Sequence, residues 1–243
     1  MPKIKTVHGT EYRKVVSEKE WIAARKKLLV KEKKFSKLRD EMNRERRKLP
    51  WVKIDKEYVF EGPKGKVSLA ELFGSKSQLI VYHFMFGPGW GEGCAHCSFW
   101  ADHYDSVDLH IGQRDTALAV VSRAPWKEIA PFKKRMGWKF NWVSSVNTSF
   151  NFDFNVSFTP DQIKNRTAIY NFAPLKMDID EREGVSAFYK DKNGDIYRTY
   201  SSYARGIDLM NTTYNFIDLT AKGRDEKPGE AQDWVRYHDK YNR

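Results

Sequence analysis

Gln78 to Cys97 read QLIVYHFMFGPGWGEGCAHC, and the fold turns on how this stretch is parsed. Leu79 to Phe86 are almost unbroken apolar residues, too short to cross a bilayer and long enough for one strand. A strand without polar alternation is covered on both faces, the position of a central strand in a parallel sheet. The Gly-rich GPGWGEG then breaks the run. Cys94 and Cys97 follow at the expected start of a helix reaching about His110.

The pattern repeats downstream. TALAVVS (Thr116–Ser122) reads as a second buried strand and FNWVSS as a third, with the helix APWKEIAPFKKRMG between them. Pro125 stands near the start of that helix and Gly137 at its end. A β-α-β-α-β series predicts a largely parallel sheet with helices on its faces. Upstream, WVKIDKEYVF reads as a strand, EGPKGK as a turn, and SLAELF as a short helix with a capping box from Ser68 to Glu71. Phe150, Phe152, Phe154, Val156 and Phe158 alternate strictly, the period of one strand face; an aromatic loop over a pocket is the alternative. Asp161 to Gly184 is irregular and charged. Val185–Tyr189 and Asp195–Tyr200 form a hairpin turning at KDKNG, and a last helix is expected after Arg205.

The chain has 243 residues, 40% hydrophobic and 14% aromatic, enough for a packed core. Its net charge of +11 is unevenly placed: residues 1–50 hold 17 Lys and Arg against 7 Asp and Glu. Glu18 to Leu49 reads as one helix, opened by a Ser17–Glu20 capping box and stopped by Pro50. Trp21, Leu28, Phe35, Met42 and Leu49 recur every seven residues as a narrow apolar stripe, while Lys31 and Glu45 interrupt a regular coiled-coil seam. Packing on the protein's own body and a homodimer through this helix are the two ways to cover it. No recognised binding motif accompanies the basic charge, so a nucleic-acid partner is not expected. With no membrane-length apolar run and no secretory signal at the start, the expected location is the cytoplasm. Disulfide staples are rare there, so a close cysteine pair points to catalysis or metal.

At a helix N-terminus the Cys94 thiolate would face unsatisfied backbone N–H groups and the positive end of the helix dipole. Both favour the charged form, which makes Cys94 the nucleophile and Cys97, one turn on, the resolving thiol. His96 lies between them, and an imidazolium there would stabilise the thiolate further. Inert packing and a metal site are the other readings of the pair. Zinc wants four ligands, usually as two separated pairs, and there is no second cysteine pair. His96, His103 and His110, spaced by seven, read as polar residues on one helix face. No metal or other cofactor is expected. Trp90 and Trp100 are candidate walls of a substrate site, and Tyr203 and Arg205 candidate polar groups within it, with solvated side chains at a hairpin-to-helix connection as the plainer reading of that last pair.

The order strand, CxxC helix, strand, helix, strand, hairpin, helix resembles the thioredoxin-like superfamily in its peroxiredoxin-type arrangement. RRKLPWVKIDKEYVFEGPKGKVSLAELF, QLIVYHFMFGPGWGEGCAHCSFWAD, VSRAPWKEIAPFKKRMGW, FYKDKNGDIYRTYSSYARGID and DWVRYHDKYNR together resemble, over nearly the whole chain, the bacterial thioredoxin-like family catalogued as domain of unknown function 899. The resemblance implies an α/β fold with a central mixed sheet flanked by helices. Residues 1–50 would be a basic helical extension and residues 51–243 a thioredoxin-like domain, with an insertion at about 146–184. It also implies a thiol function at Cys94 and Cys97, acting on a protein or small-molecule thiol or disulfide. A non-catalytic binding module on the same fold, with idle cysteines, is the competing expectation. Gly184-Val185 stands where thioredoxins carry a cis-proline, so the usual peptide-docking edge is altered. Gly91 stands where peroxiredoxins carry a threonine three residues before the peroxidatic cysteine, so an ordinary peroxiredoxin site is not expected.

Overall fold

The computed structural model describes residues 3–4, 13–227, 229 and 231–242. The chain divides into two compact units, residues 1–50 and 51–243. In the first, Lys3–Ile4 (β1) pairs antiparallel with Arg13–Lys14 (β2). Glu18–Arg46 forms α1, a helix of 29 residues. Its capping box is closed in both directions: Ser17 Oγ accepts from the Glu20 N–H, and the Glu20 carboxylate accepts from the Ser17 N–H at 3.0 Å. The helix stops at Arg46, three residues short of Leu49, in a turn ahead of Pro50. It buries none of its residues, and Trp21, Leu28, Phe35 and Met42 are all more than half exposed.

The second unit opens with three short strands, Val52–Lys53 (β3), Val59–Gly62 (β4) and Gly65–Ser68 (β5), and the turn of helix Leu69–Leu72 (α2). Gln78–His83 (β6) leads to two helices, Ala95–Ala101 (α3) and Tyr104–Ile111 (α4). Thr116–Ser122 (β7), Trp126–Arg135 (α5) and Asn141–Ser144 (β8) follow. Phe150–Asp153 (α6), Pro160–Lys164 (α7) and the pair Ile169–Tyr170 (β9) and Ala173–Pro174 (β10) make up a largely irregular stretch. The hairpin Gly184–Lys190 (β11) and Ile196–Tyr203 (β12) and the helix Thr212–Ile217 (α8) complete the set.

Eight strands form one sheet in the order β3-β12-β11-β6-β7-β8-β4-β5. β6 lies in the interior between β7, its parallel partner, and β11, its antiparallel one. Its unbroken apolar run is explained by two cores. Leu79 and Val81 enter the core on one face of the sheet, Ile80 and Tyr82 the core on the other. β7 divides in the same way, Ala119 and Val121 against Leu118 and Val120. This is an α/β fold built on one mixed sheet with a core on each face. The parallel pairings are β6–β7 and β7–β8, and the hairpins β4–β5 and β11–β12 add antiparallel pairings on both sides.

Three expectations need correction. Trp51–Phe60 is not one strand: β3 and β4 belong to opposite sides of the sheet. The Trp51 ring sits 5.2 Å from Tyr189 and 5.8 Å from Tyr197 beside the β11–β12 hairpin, while Tyr58 and Phe60 join the core that Leu79 and Val81 enter, and β4 pairs with β8. Phe150–Phe158 is not a strand face either. Phe150 and Phe154 are four apart on the α6 turn, with ring centroids at 4.5 Å, so a helical spacing underlies the apparent alternation. The helix from Cys94 to His110 is two helices, broken at Asp102–His103. There the Asp102 carboxylate accepts from Trp138 Nε1 at 2.8 Å and pairs with His238 Nδ1 at 2.6 Å, which draws it to another part of the chain.

Candidate active site

Beyond β6 the chain leaves the sheet but stays clamped to it. Phe84 N–H donates to Val121 O at 2.9 Å, Ala124 N–H to Phe86 O at 2.7 Å, and Cys94 N–H returns to Met85 O at 3.0 Å. The loop between Phe86 and Cys94 is thus closed at its neck. Gly93 is required there: a Cβ would stand 2.6 Å from the Phe84 ring and 2.9 Å from the Phe132 ring, closer than real contacts allow. From the chain's end, Tyr237 Oη donates to Gly93 O at 2.6 Å, and Arg135 bonds both Glu92 and Asp239. The backbone that delivers Cys94 is therefore fixed on three sides.

Cys94 caps α3, with its Sγ accepting from the Cys97 N–H at 3.5 Å. Both thiols are free; Cys94 is half-buried and Cys97 only 3% exposed. Their environments push them apart. A hydrogen bond from the Cys97 thiol does most to lower the Cys94 pKa below its ordinary value; burial opposes it, the Cys97 and His96 backbone N–H groups support it, and the Glu183 charge opposes it. Burial does most to push the Cys97 thiol well up, followed by that same bond to Cys94, the Cys94 charge and Glu183. The Tyr82 hydroxyl lies beside Cys97, buried and without a partner in good hydrogen-bond geometry, and burial raises its pKa strongly.

Cys94, His96 and Cys97 open onto a cavity of about 370 Å³. Tyr82, Met85 and Trp100 line it together with the thiols. Ile179, Arg182 and Glu183, from the limb before β11, make one wall. Ala204, Arg205, Ile207 and Asp208, after β12, make another, and Ala231 and Gln232 complete it. Of the residues singled out in the sequence, Cys94, His96, Cys97, Trp100 and Arg205 meet here. Trp100 is fixed by an Nε1 bond to Ile207 O at 3.0 Å; Arg205 is largely exposed and reaches Asp208 at 3.1 Å.

Trp90 and Tyr203 are not brought to the cavity. Trp90 lies over Gly87, where a Cβ would meet its ring at 2.6 Å. Tyr203 packs over Gly184 and donates to Phe154 O at 3.0 Å, in the opposite core. The His96 side chain is exposed at the rim, so the contribution to Cys94 that the geometry supplies is its backbone N–H. The three histidines do not share a helix face: α3 and α4 are separate, and His103 Nε2 bonds Thr213 Oγ1 at 2.8 Å. Sequence reasoning missed Arg182, Glu183, Ile207 and Asp208. Glu183 had one available signal, its place just before Gly184-Val185 at the start of the hairpin facing the thiols.

Residues 10–241 match the family described as bacterial protein of unknown function, DUF899. The chain belongs to this family. No curated protein matches it. Among solved structures it is similar to peroxidoxin BcpB of Mycobacterium tuberculosis, with 11% identity and a TM-score of 0.43 over 67% of this chain and 94% of that one. It is similar also to peroxiredoxin Q of Xanthomonas campestris, with 13% identity and a TM-score of 0.41 over 64% of this chain and 87% of that one. A mitochondrial 2-Cys peroxiredoxin of Plasmodium falciparum gives 12% identity and a TM-score of 0.40 over 69% of this chain and 92% of that one. Among the described residues no helix is long and apolar enough to cross a membrane, and no cluster of three or more metal-ligating side chains occurs.

Proposed function

We propose that this DUF899 chain is a thiol–disulfide oxidoreductase in which Cys94 attacks and Cys97 resolves. The observation that carries this reading is the division of labour between the thiols, one lowered and open to a cavity, the other raised and buried beneath it. The Cys94 thiolate attacks one sulfur of a disulfide, forming a mixed disulfide and expelling a thiolate. Cys97 then loses its proton to the departing thiol half and attacks Cys94, leaving the Cys94–Cys97 disulfide and a second free thiol. Two electrons pass from the protein to the substrate. His96 tunes Cys94 from the rim, Trp100 and Arg205 are walls of the substrate site, and Tyr203 backs Gly184 from the other core. The cytoplasm, where thiols are kept reduced, suits a pair that must start as dithiol.

The test is trapping. Cys97→Ser should accumulate a mixed disulfide on Cys94 that mass spectrometry reads directly, and Cys94→Ser should accumulate none. Absence of a trapped species in Cys97→Ser, with both thiols unreactive, would favour a binding module with idle cysteines.

A second copy of the chain is the proposed cover for the stripe on α1. Exposed Trp21, Leu28, Phe35 and Met42 recur at heptad spacing as a narrow apolar stripe, too large to leave in water, although Lys31 and Glu45 interrupt a regular coiled-coil seam. Sedimentation should show a concentration-dependent dimer that Phe35→Glu shifts to monomer; a strict monomer at high concentration would end this idea.

A further inference from the structure

We propose that the cavity beside Cys94 takes a low-molecular-weight disulfide whose thiol half bears a carboxylate, and that Arg182 holds that carboxylate. The inference rests on the thiol–disulfide reading above and assigns its substrate class. A space of about 370 Å³ is the size of a small-molecule site, and three segments of this same chain wall it in. Cys94 is half-buried at its base, so the sulfur under attack has to enter the cavity.

The charges then select the ligand. Four charged side chains other than the thiols and His96 line the space: Arg182, Glu183, Arg205 and Asp208. Arg205 and Asp208 pair with each other at 3.1 Å, and Arg224 approaches Asp208 at 3.8 Å. Glu183 accepts from the Tyr170 hydroxyl at 3.1 Å. Among the described residues Arg182 has no carboxylate within ion-pair distance. Its guanidinium stacks over the Tyr170 ring at 5.0 Å and donates to the Met177 thioether, a weak acceptor. Its Nε is buried without a partner. A guanidinium held in place by an aromatic face, with donors unspent, suits a planar carboxylate. An anionic disulfide would otherwise be repelled by the Cys94 thiolate and Glu183, and Arg182 offsets that repulsion.

The test uses single turnover of the reduced full-length protein with three disulfides: dithiodipropionate, which bears carboxylates, neutral hydroxyethyl disulfide, and cystamine, which bears ammonium groups. Each rate is divided by that disulfide's rate with dithiothreitol, which removes differences among the leaving thiols. The expected result is a roughly tenfold normalised advantage for dithiodipropionate at subsaturating concentration, the size of one charge-assisted bond. Arg182→Gln should abolish that advantage, lowering the normalised dithiodipropionate rate about tenfold more than the hydroxyethyl rate; Arg182→Lys should restore part of it. Equal normalised rates for the three disulfides in the unaltered protein, or an Arg182→Gln loss shared equally by all three, would overturn the assignment while leaving the thiol reading intact. No reaction of any disulfide with Cys94 would overturn both.

Discussion

Cys97 is the residue on which the chemistry of Cys94 most depends. Its thiol hydrogen bond is the largest influence lowering the Cys94 pKa, ahead of the backbone N–H groups at the helix start. Cys97→Ala should therefore raise the Cys94 pKa and slow its alkylation at neutral pH, whereas Cys97→Ser, which keeps a donor, should do so less. His96→Ala keeps the backbone N–H, so its effect should be smaller than that of Cys97→Ala. Glu183 acts in the opposite sense, since its charge raises both thiols. Glu183→Gln should lower the Cys94 pKa further and extend rapid alkylation to more acid pH; a rise would show that the carboxylate is not felt at the sulfur. The place of Cys94 at a helix start was legible in the sequence, because a Gly-rich loop separates it from a strand. The influence of Glu183 was not, because 88 residues of folded chain lie between Cys94 and Glu183.

At the scale of elements, the loop from Phe86 to Cys94 works because its last residue has no side chain. Gly93→Ala places a methyl against Phe84 and Phe132, and overpacking of this kind costs about 1–3 kcal/mol. Thermal or urea unfolding should register that loss, and Cys94 alkylation should move toward that of an ordinary thiol as the loop shifts outward. β6, β7 and β8 were legible, since a strand buried on both faces carries an unmistakable apolar run. The stretch from Phe150 to Phe158 was not: Phe150 and Phe154 satisfy a period of two and a helical spacing of four equally well. The break between α3 and α4 was hidden for a different reason. Its cause, the pull of Trp138 and His238 on Asp102, comes from residues far along the chain.

Across the whole molecule, the limb that carries Arg182 and Glu183 is anchored by its buried neighbour Glu181. That carboxylate pairs with Arg123 and accepts from Ser157 Oγ at 2.9 Å. Burial nevertheless does most to set its pKa, which is pushed up to about 7, with Arg123 the main opposing influence. A carboxyl whose folded value lies above its unfolded one binds more protons when folded, so its contribution is greatest at acid pH. Stability should fall as pH rises from 4.5 to about 7, and Glu181→Gln should flatten that slope in urea unfolding. The cavity itself was the least legible feature, for its walls come from stretches that share no motif and meet only when the sheet closes. The central claim concerns what those walls enclose, and alkylation of each cysteine against pH, read by peptide mass spectrometry, tests it most directly. Cys94 should reach half its maximal rate below the pH of an ordinary thiol while Cys97 stays silent until far higher pH; two equally slow thiols with ordinary profiles would contradict it.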